Sequence, residues 1–239
     1  MRILAMDTAS GCGSVAVADG NELLSEMVTS RRETHSRHLM TMVDQVLQMA
    51  GLTLHEMDGF AVTVGPGSFT GLRIGISTMK GLALVTQKPV AGISSLEALA
   101  AQASPASQLI CPMLDARNRE VYFARFQMAS GRLERRADDQ SATPDSACKG
   151  IEAPCLFVGD GALKYRELIT TTLGEKAAFA LSFQHTIRAS TIWHLGRIAF
   201  QNNQCTDAAA LAPRYLRRSY AESNKKIREE LTGLPCFDM

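Results

Sequence analysis

The chain is organised around one stretch, Val62-Thr-Val-Gly65-Pro-Gly67-Ser-Phe-Thr-Gly71-Leu-Arg-Ile-Gly75. An apolar, β-rich run from Phe60 to Val64 overlaps its beginning and is typical of a buried strand. The glycines and the proline that follow allow a sharp turn with positive φ angles. Ser68 or Thr70 can then cap a helix that we predict to end near Val85. The stretch therefore predicts a strand, a tight turn and a helix in succession.

The glycine-rich turn has two interpretations. Backbone N–H groups and the helix dipole at such a helix N-terminus can bind a phosphate. However, the spacing matches neither common phosphate-binding glycine pattern, and the next lysine after Gly75 is Lys80. We therefore favour the second interpretation, in which the glycines let the turn pack closely against a neighbouring segment.

Length and composition indicate a globular protein with two lobes. The 239 residues suffice for two lobes of about 100 to 120 residues each. The net charge of +1 gives no reason to expect a strong attraction for nucleic acid. The six cysteines include no CxxC pair, which favours free thiols. No signal peptide and no run of roughly 18 apolar residues is recognisable, so we expect a cytoplasmic protein with no membrane partner.

Hydrophobic periodicity predicts the element order β-β-β-α-β-α-β-α for a first lobe at residues 1–103. Its predicted strands are Arg2–Met6, Ser14–Ala18, Leu23–Val28, Phe60–Val64 and Pro89–Ile93, and its predicted helices are Thr34–Ala50, Leu72–Val85 with its capping turn, and Ser95–Ala103. We expect a further helix around residues 206–222 to join this lobe. Residues 223–239 are predicted to form a flexible tail.

A smaller, degenerate second lobe is predicted for residues 104–205. Its predicted strands are Leu109–Leu114, Glu120–Gln127 and Pro154–Val158, and its predicted helices are one after Gly161 that ends near Leu173 and one from Ser190 to Gln201. Residues 128–152 are rich in charged and small polar side chains, so we expect an exposed connection or an irregular edge there.

Two motifs resemble one known family. The block GPGSFTGLRIG is similar to the signature of the bacterial TsaB (YeaZ) family, accessory subunits in the synthesis of threonylcarbamoyladenosine in tRNA. The signature positions are Gly65, Pro66, Gly67, Ser68, Phe69, Thr70, Gly71 and Arg73. The segment Pro213-Arg-Tyr-Leu-Arg217 resembles the PxYLR segment near the end of the same sequences. Both motifs together extend the resemblance over most of the chain.

An aspartate follows the first strand in each half, before a hairpin. This order resembles the actin, sugar-kinase and Hsp70 (ASKHA) superfamily, which is built from duplicated βββαβαβα units and is ribonuclease H-like. The resemblance implies an α/β fold in which two lobes have mixed β-sheets flanked by helices.

The family resemblance also implies a function by partnership. It implies a non-catalytic subunit that forms a heterodimer with its paralogue TsaD, is joined by the ATPase TsaE, and is a homodimer when alone. The assembly would transfer a threonylcarbamoyl group to the tRNA adenosine next to the anticodon. ATP or ADP and the metal are expected on the partner subunits, with no cofactor in the isolated chain and at most indirect contact with tRNA. From another class, the alternative is an independent ATP-dependent phosphotransferase of the ASKHA kinase type.

The positions that hold nucleotide in ASKHA kinases are altered in this sequence. The vestigial nucleotide positions are Asp7, Thr8, Ser10 and Asp115. The kinases need a glycine two residues after each aspartate for close approach to phosphate, and here Ala9 and Arg117 stand in that place. We therefore expect both aspartates to end strands or cap turns. A single GxG at Gly159-Asp160-Gly161 is more typical of a tight turn than of an adenosine site.

Metal and peptidase chemistry find little support in the sequence. The two metal-binding histidines of TsaD correspond to Ser95 and Leu99, which cannot ligate a transition metal there, so we expect no metal. His35 and His38 lie among arginines and are expected on the surface. Neither GxSxG nor HExxH occurs, which argues against a peptidase. The basic run Lys225-Lys226-Ile-Arg228 could contact a tRNA phosphate.

The two helices of the first lobe suggest where a partner binds. Each has more apolar residues than a sheet needs, which predicts an exposed face that forms a four-helix bundle with a second copy or with TsaD. The alternative is that each helix is buried on two sides within the monomer. The expected partner-binding residues are Leu39, Met42, Val43, Val46, Met49, Leu72, Ile76 and Met79.

Overall fold

The structure is a computed structural model, and it describes residues 1–30, 38–103 and 108–216. It is an α/β protein with two mixed, five-stranded sheets flanked by helices, which confirms the predicted fold class. In the described part of the chain, no helix combines the length and the hydrophobicity that a bilayer span requires. The five cysteines in that part are free thiols.

The first lobe follows the predicted order of elements. Its strands are β1 Arg2–Asp7, β2 Gly13–Asp19, β3 Glu22–Thr29, β4 Gly59–Gly65 and β5 Val90–Ser94, and its helices are α1 Leu39–Ala50, α2 Phe69–Thr86 and α3 Ser95–Gln102. The spatial order is β3-β2-β1-β4-β5, with β1, β4 and β5 parallel. The predicted beginning of α1 at Thr34 lies outside the described residues.

The second lobe repeats this topology. Its strands are β6 Leu109–Arg117, β7 Glu120–Ala129, β8 Arg132–Ala142, β9 Cys155–Val158 and β10 Ala177–Phe179, and its helices are α4 Pro144–Cys148, α5 Asp160–Lys164, α6 Arg166–Leu173 and α7 Ala189–Gln201. The order is β8-β7-β6-β9-β10, with β6, β9 and β10 parallel. Each strand thus takes the place of its counterpart in the first lobe, which confirms the predicted duplication.

Two predictions for the second lobe need correction. Residues 128–152 do not form a connection, because they contain the strand β8 and the short helix α4. The alternative of an irregular edge is confirmed, since β8 pairs with β7 with shifts in register. β8 is the edge strand of its sheet, and charged side chains along an edge hide the alternation of a half-buried strand. The helix predicted to run from Gly161 to Leu173 is instead divided into α5 and α6 at Tyr165.

Helix α7 follows the second lobe in chain order, but it packs on the first sheet. The sequence predicts instead that it fills the second lobe. A Cβ atom at Gly196 would lie 2.6 Å from that of Ala61, so helix and strand are in direct contact. The ring of Phe200 covers Gly59 in the same way. The placement predicted from sequence is wrong because periodicity identifies an apolar face and not the sheet that the face covers.

Helix α3 makes the reciprocal crossing. It follows the last strand of the first lobe and contacts β6 and β7 of the second lobe. At its end, Gln102 Nε2 donates to the carbonyl oxygens of Gln184 and Thr186 at 2.9 and 2.8 Å, while Oε1 accepts from the N–H of Arg188 at 3.0 Å. The last helix of each lobe therefore ties that lobe to the other.

The segment after α7 is extended where a helix was predicted around residues 206–222. Thr206 pairs with Val90 of β5, and the N–H of Arg214 donates to the carbonyl oxygen of Val64 at 2.7 Å. For residues 206–216 the predicted helix is therefore wrong, because hydrogen bonds to the first sheet replace those within a helix. Residues 217–239 lie outside the described part of the chain.

Candidate functional site

The glycine-rich turn packs directly on the loop that follows β1. A Cβ atom would lie 2.4 Å from the carbonyl oxygen of Ala9 if it were added at Gly67, and 2.0 Å from that of Thr8 if it were added at Gly71. At Gly75 it would lie 2.2 Å from Thr8 Oγ1. Such distances exclude any side chain without movement of the backbone. The structure thus supports the interpretation of the turn as a packing joint.

The hydrogen bonds at the start of α2 also serve this joint. The N–H of Ser68 donates to the carbonyl oxygen of Ala9 at 2.7 Å. Ser68 Oγ caps the helix by accepting from the N–H of Gly71 at 3.2 Å, as predicted, and Thr8 Oγ1 donates to the carbonyl oxygen of Gly71 at 2.8 Å. The chain's own loop therefore uses donors that an anion would need at this helix end.

Asp7, at the end of β1, is fully buried in this region. Its Oδ1 accepts from Thr63 Oγ1 at 2.7 Å and from the N–H of Ala9 at 3.0 Å. Its Oδ2 has no hydrogen-bond partner among the described residues. Burial raises the pKa of Asp7 to about 7, and the nearby carboxylate of Asp160 adds to the rise. This aspartate therefore changes its charge near neutral pH.

Asp115, at the end of β6, is partly exposed. Its Oδ1 accepts from the N–H of Arg117 at 3.0 Å, the same turn that Asp7 makes with Ala9. Its Oδ2 forms an ion pair with Lys164 Nζ at 2.8 Å. The contacts of both aspartates support the interpretation that they cap turns. Of the other vestigial nucleotide positions, Thr8 is buried in the joint, and Ser10 Oγ accepts from the N–H of Cys12 at 3.3 Å.

The glycines of Gly159-Asp160-Gly161 make a second joint, equivalent to the one before α2. Gly159 has φ of 109°, and a Cβ atom there would lie 2.1 Å from the carbonyl oxygen of Met113. Asp160 Oδ1 accepts from the N–H of Asp115 at 3.0 Å. Burial raises the pKa of Asp160, which faces the same region between the lobes as Asp7. The tight-turn interpretation of this motif is supported.

A buried histidine that sequence reasoning missed stabilises this second joint. His185 Nδ1 accepts from the N–H of Gly159 at 3.1 Å, and its Nε2 lies 3.0 Å from the carbonyl oxygen of Ala180. Nδ1 also lies 3.1 Å from the carbonyl oxygen of Gly159, so both ring nitrogens contact main-chain atoms. A lone histidine gives no sequence signal for such a role, because its partners come from other elements.

The two positions that the sequence analysis compared with metal-binding histidines lie inside the protein. Ser95 and Leu99 are fully buried, and Leu99 Cδ1 packs at Gly159. Within residues 1–30, 38–103 and 108–216, no cluster of three histidine, cysteine or acidic side chains could hold a metal. That the chain binds no metal stays a prediction. His38 is exposed just before α1, and His35 lies outside the described residues.

Most residues expected to form an exposed partner face lie in the core. Those with at most 5% of their surface exposed are Leu39, Met42, Val43, Val46, Leu72, Ile76 and Met79. These residues are buried within the single chain, as in the alternative interpretation, and that they bind a partner stays a prediction. Met49 alone among the predicted residues is exposed, at 75%. The apolar side chains that do point outward on these helices are Met40, Met49, Leu84 and Val85, called the outer helix residues below.

The two family-like motifs meet on the surface beside α2. The rings of Phe69 and Tyr215 stack with their centroids 4.8 Å apart. The guanidinium of Arg73 lies 3.9 Å above the Phe69 ring, and its Nε donates to the hydroxyl of Tyr215 at 3.1 Å. Sequence reasoning missed this cluster because Arg73 and Tyr215 are 142 positions apart.

A shallow groove of about 380 Å³ adjoins this cluster. It runs between α2 and the extended segment after α7. Its lining residues are Arg73, Ile76, Ser77, Lys80, Leu211, Ala212, Pro213 and Tyr215, called the α2 groove below.

The chain is similar in sequence to proteins of one family. The family model described as "TsaD: tRNA N6-adenosine threonylcarbamoyltransferase" matches residues 22–232. The tRNA threonylcarbamoyladenosine biosynthesis protein TsaB of Bacillus subtilis (strain 168) is 32% identical over 226 residues, which cover 93% of this chain and 97% of that protein.

Two solved structures are similar to this chain in fold. YeaZ from Pseudomonas aeruginosa has a TM-score of 0.79 at 27% identity, and the match covers 90% of this chain and 99% of that one. Component A of the (R)-2-hydroxyglutaryl-CoA dehydratase of Acidaminococcus fermentans has a TM-score of 0.52 at 12% identity, and the match covers 85% of this chain and 99% of that one. This second likeness concerns the fold alone.

Proposed function

We propose a function from one premise: the chain belongs to the TsaB (YeaZ) family, within the broader TsaD family whose model it matches. Its named relative is a tRNA threonylcarbamoyladenosine biosynthesis protein, and this chain has a role in the same biosynthesis. The role we propose is that of a non-catalytic subunit. It binds and supports TsaD, with TsaE joining the complex, while the threonylcarbamoyl group is transferred to the tRNA adenosine next to the anticodon.

The observation that carries this proposal is the joint between the β1 loop and α2. An ASKHA phosphotransferase needs an open loop after its first strand, where backbone N–H groups can reach a phosphate. Here the N–H of Ser68 donates to the carbonyl oxygen of Ala9, and the buried Asp7 accepts a hydrogen bond from Thr63 Oγ1. These contacts occupy the N–H of Ser68 and one carboxylate oxygen of Asp7, which phosphate and a magnesium ion would otherwise use. We therefore place ATP, ADP and the metal on the partner subunits.

The proposed docking face consists of the outer helix residues. Met49, Leu84 and Val85 expose between 65% and 75% of their surfaces on the side of α1 and α2 away from the sheet. Exposed methionine and aliphatic side chains suit a face that can fit either a second copy or TsaD. The isolated chain would accordingly form a homodimer through the same face, and tRNA would be contacted indirectly at most.

Charge substitution on this face tests the proposal. Met49→Asp combined with Val85→Asp should give a folded monomer that no longer captures purified TsaD, since a carboxylate buried in an apolar contact is strongly unfavourable. Sedimentation velocity and a pull-down measure the two outcomes. Phe183→Asp is the matched control, because Phe183 is 63% exposed in the second lobe. If the double variant captures TsaD as the unmodified chain does, the docking face lies elsewhere.

Titration with Mg-ATP tests the non-catalytic role separately. Isothermal titration of the isolated chain should show no binding, or binding only in the millimolar range. A dissociation constant in the low micromolar range, lost on Asp7→Asn, would instead favour an independent ATP-dependent phosphotransferase. TsaD capture and nucleotide binding can fail independently, so the two measurements separate docking from chemistry.

A further inference from the structure

The α2 groove carries a charge pattern that the proposed docking face does not use. Two cationic residues, Arg73 and Lys80, stand on the same side of α2, and none of the described residues that line the groove is acidic. Between them the floor includes the side chains of Ile76 and Leu211, and the hydroxyl groups of Ser77 and Tyr215 border it. The groove is therefore apolar at its centre and cationic at both ends.

The cation at one end is held in position before any ligand arrives. Arg73 stacks on Phe69 and donates from Nε to Tyr215, so its guanidinium loses little freedom on binding a ligand. Within the described part of the chain, Arg73 forms no ion pair. The other end is defined by Lys80, whose Nζ donates to the carbonyl oxygen of Ala209 at 3.3 Å and so marks the groove wall.

The charge pattern selects among possible ligands. Nucleic acid would need a continuous basic track, and the whole chain has a net charge of only +1. A small inorganic anion would gain nothing from the apolar floor. A peptide with carboxylates on either side of an apolar side chain matches both the ends and the centre.

Spacing narrows the pattern of that peptide. Arg73 and Lys80 are seven positions apart on one helix, about 10.5 Å along its axis. In an extended peptide, alternate side chains share a face, and residues four positions apart are separated by about 13 Å. The two spacings differ by about 2.5 Å, which the flexible side chains of Lys80 and of glutamate can bridge. The matching pattern is thus acidic-x-apolar-x-acidic.

We propose that the α2 groove is a docking site for an acidic segment of a partner protein, bound in extended form with two carboxylates flanking an apolar side chain. The carboxylates pair with Arg73 and Lys80, and the apolar side chain packs on Ile76 and Leu211. None of the residues that line the groove is an outer helix residue, although Lys80 lies one helical turn before Leu84 on α2. The two sites are therefore tested by different substitutions.

Methyl NMR of the full chain tests the proposal with the synthetic peptide Ac-Glu-Ser-Leu-Ser-Glu-amide. Shift changes should centre on the methyl groups of Ile76, Leu211 and Ala212. Arg73→Gln and Lys80→Gln should each weaken binding by about three- to fivefold, as expected for exposed ion pairs. Ser77→Glu adds a carboxylate to the groove without removing a packed side chain and should also weaken binding. Lys88→Gln, just beyond α2, is the control and should leave affinity unchanged.

Three results would overturn the proposal. The first is an absence of localised shifts up to several millimolar peptide. The second is equal binding of peptides in which glutamine replaces glutamate or serine replaces leucine. The third is displacement of the acidic peptide by adenosine monophosphate or an oligouridine that binds more tightly in the same groove, which would assign the groove to nucleotides. Capture of TsaD by the outer helix residues is expected to be unaffected by all four substitutions, so a failure here is distinguishable from a failure of the proposed function.

Discussion

The two lobes share one topology but use the end of their first strand differently. In both, an aspartate Oδ1 accepts a hydrogen bond from the N–H two residues later, at 3.0 Å. In the first lobe that aspartate, Asp7, is sealed beneath the glycine joint, whereas in the second lobe Asp115 remains partly exposed and pairs with Lys164. The difference teaches that a duplicated fold can keep the same turn while one copy buries its aspartate in internal packing and the other leaves it partly exposed.

The largest expected effect comes from filling the joint of the first lobe. Gly71→Ala would place a Cβ atom 2.0 Å from the carbonyl oxygen of Thr8, a backbone atom that cannot move cheaply. We expect a loss of about 3 kcal/mol or more in the free energy of unfolding, measured by urea denaturation. Gly81→Ala in the same helix is the control, because no atom lies within 4 Å of its added Cβ. That change should stabilise the protein by about 0.5 to 1 kcal/mol.

Gly159→Ala is the corresponding substitution in the joint of the second lobe. Gly159→Ala brings a Cβ atom 2.1 Å from the carbonyl oxygen of Met113 and also forces an unfavourable φ of 109°. Because Gly159→Ala adds backbone strain to a similar clash, we expect it to cost at least as much stability as Gly71→Ala, and a smaller loss would show that the second joint is less rigid. A tolerated Gly71→Ala would contradict the packing-joint interpretation of the signature.

An effect of similar size concerns the pH dependence of stability that Asp7 causes. Burial raises the pKa of Asp7 to about 7, above its ordinary value of 3.8, so the folded state holds a proton that the unfolded state has released. Stability should therefore fall as pH rises between about 4 and 7, by up to about 4 kcal/mol. Asp7→Asn should flatten this slope, measured by urea denaturation at several pH values.

Asp115→Asn is the matched variant of the second lobe. Its carboxylate is partly exposed and bonded to the more exposed Lys164, so we expect a change below about 1 kcal/mol at neutral pH. A retained slope in Asp7→Asn would mean that another group, with Asp160 as the nearest candidate, causes the pH dependence.

An effect smaller than those at Gly71 and Asp7 is expected where the second lobe's last helix meets the first sheet. Glu26 on β3 accepts from the N–H and hydroxyl of Ser190 at 3.0 and 2.9 Å and is paired with Arg188. Burial alone would raise the pKa of Glu26, but these partners lower it overall. The resulting stabilisation is present at neutral pH and is lost as pH falls through the folded pKa.

Glu26→Gln should reduce the free energy of unfolding by about 1 to 2 kcal/mol at neutral pH, the range for hydrogen bonds to a charged group. Glu22→Gln on the same strand is the control, because Glu22 is exposed. Thermal unfolding at pH 7 and at acid pH compares the two. If both variants lose the same stability, Glu26 does not hold α7 to the sheet.

Local features of this chain were predictable, and features that depend on distant partners were not. The Ser68 cap and the glycine joint follow from spacing within a few residues, so the sequence predicts them. His185 and Tyr215 acquire their roles only when the fold brings Gly159 and Arg73 to them, which no local pattern can indicate. For Met42, periodicity gave the width of the apolar stripe, but the number of layers around a helix is a property of the whole fold. Charges on β8 concealed a strand because edge strands are selected against association as well as for burial.

The crossed placement of α3 and α7 has a consequence for the synthesis of the protein on the ribosome. The first sheet is complete once β5 has emerged, but the helix that covers one of its faces is encoded about a hundred residues later, at Ala189–Gln201. Throughout that interval, an apolar face that includes Ala61 and Ala91 faces solvent in the nascent chain. The first half therefore cannot finish folding as an independent unit during translation. Chaperones that bind exposed apolar surface have a defined window in which to act, and that window closes when α7 leaves the exit tunnel.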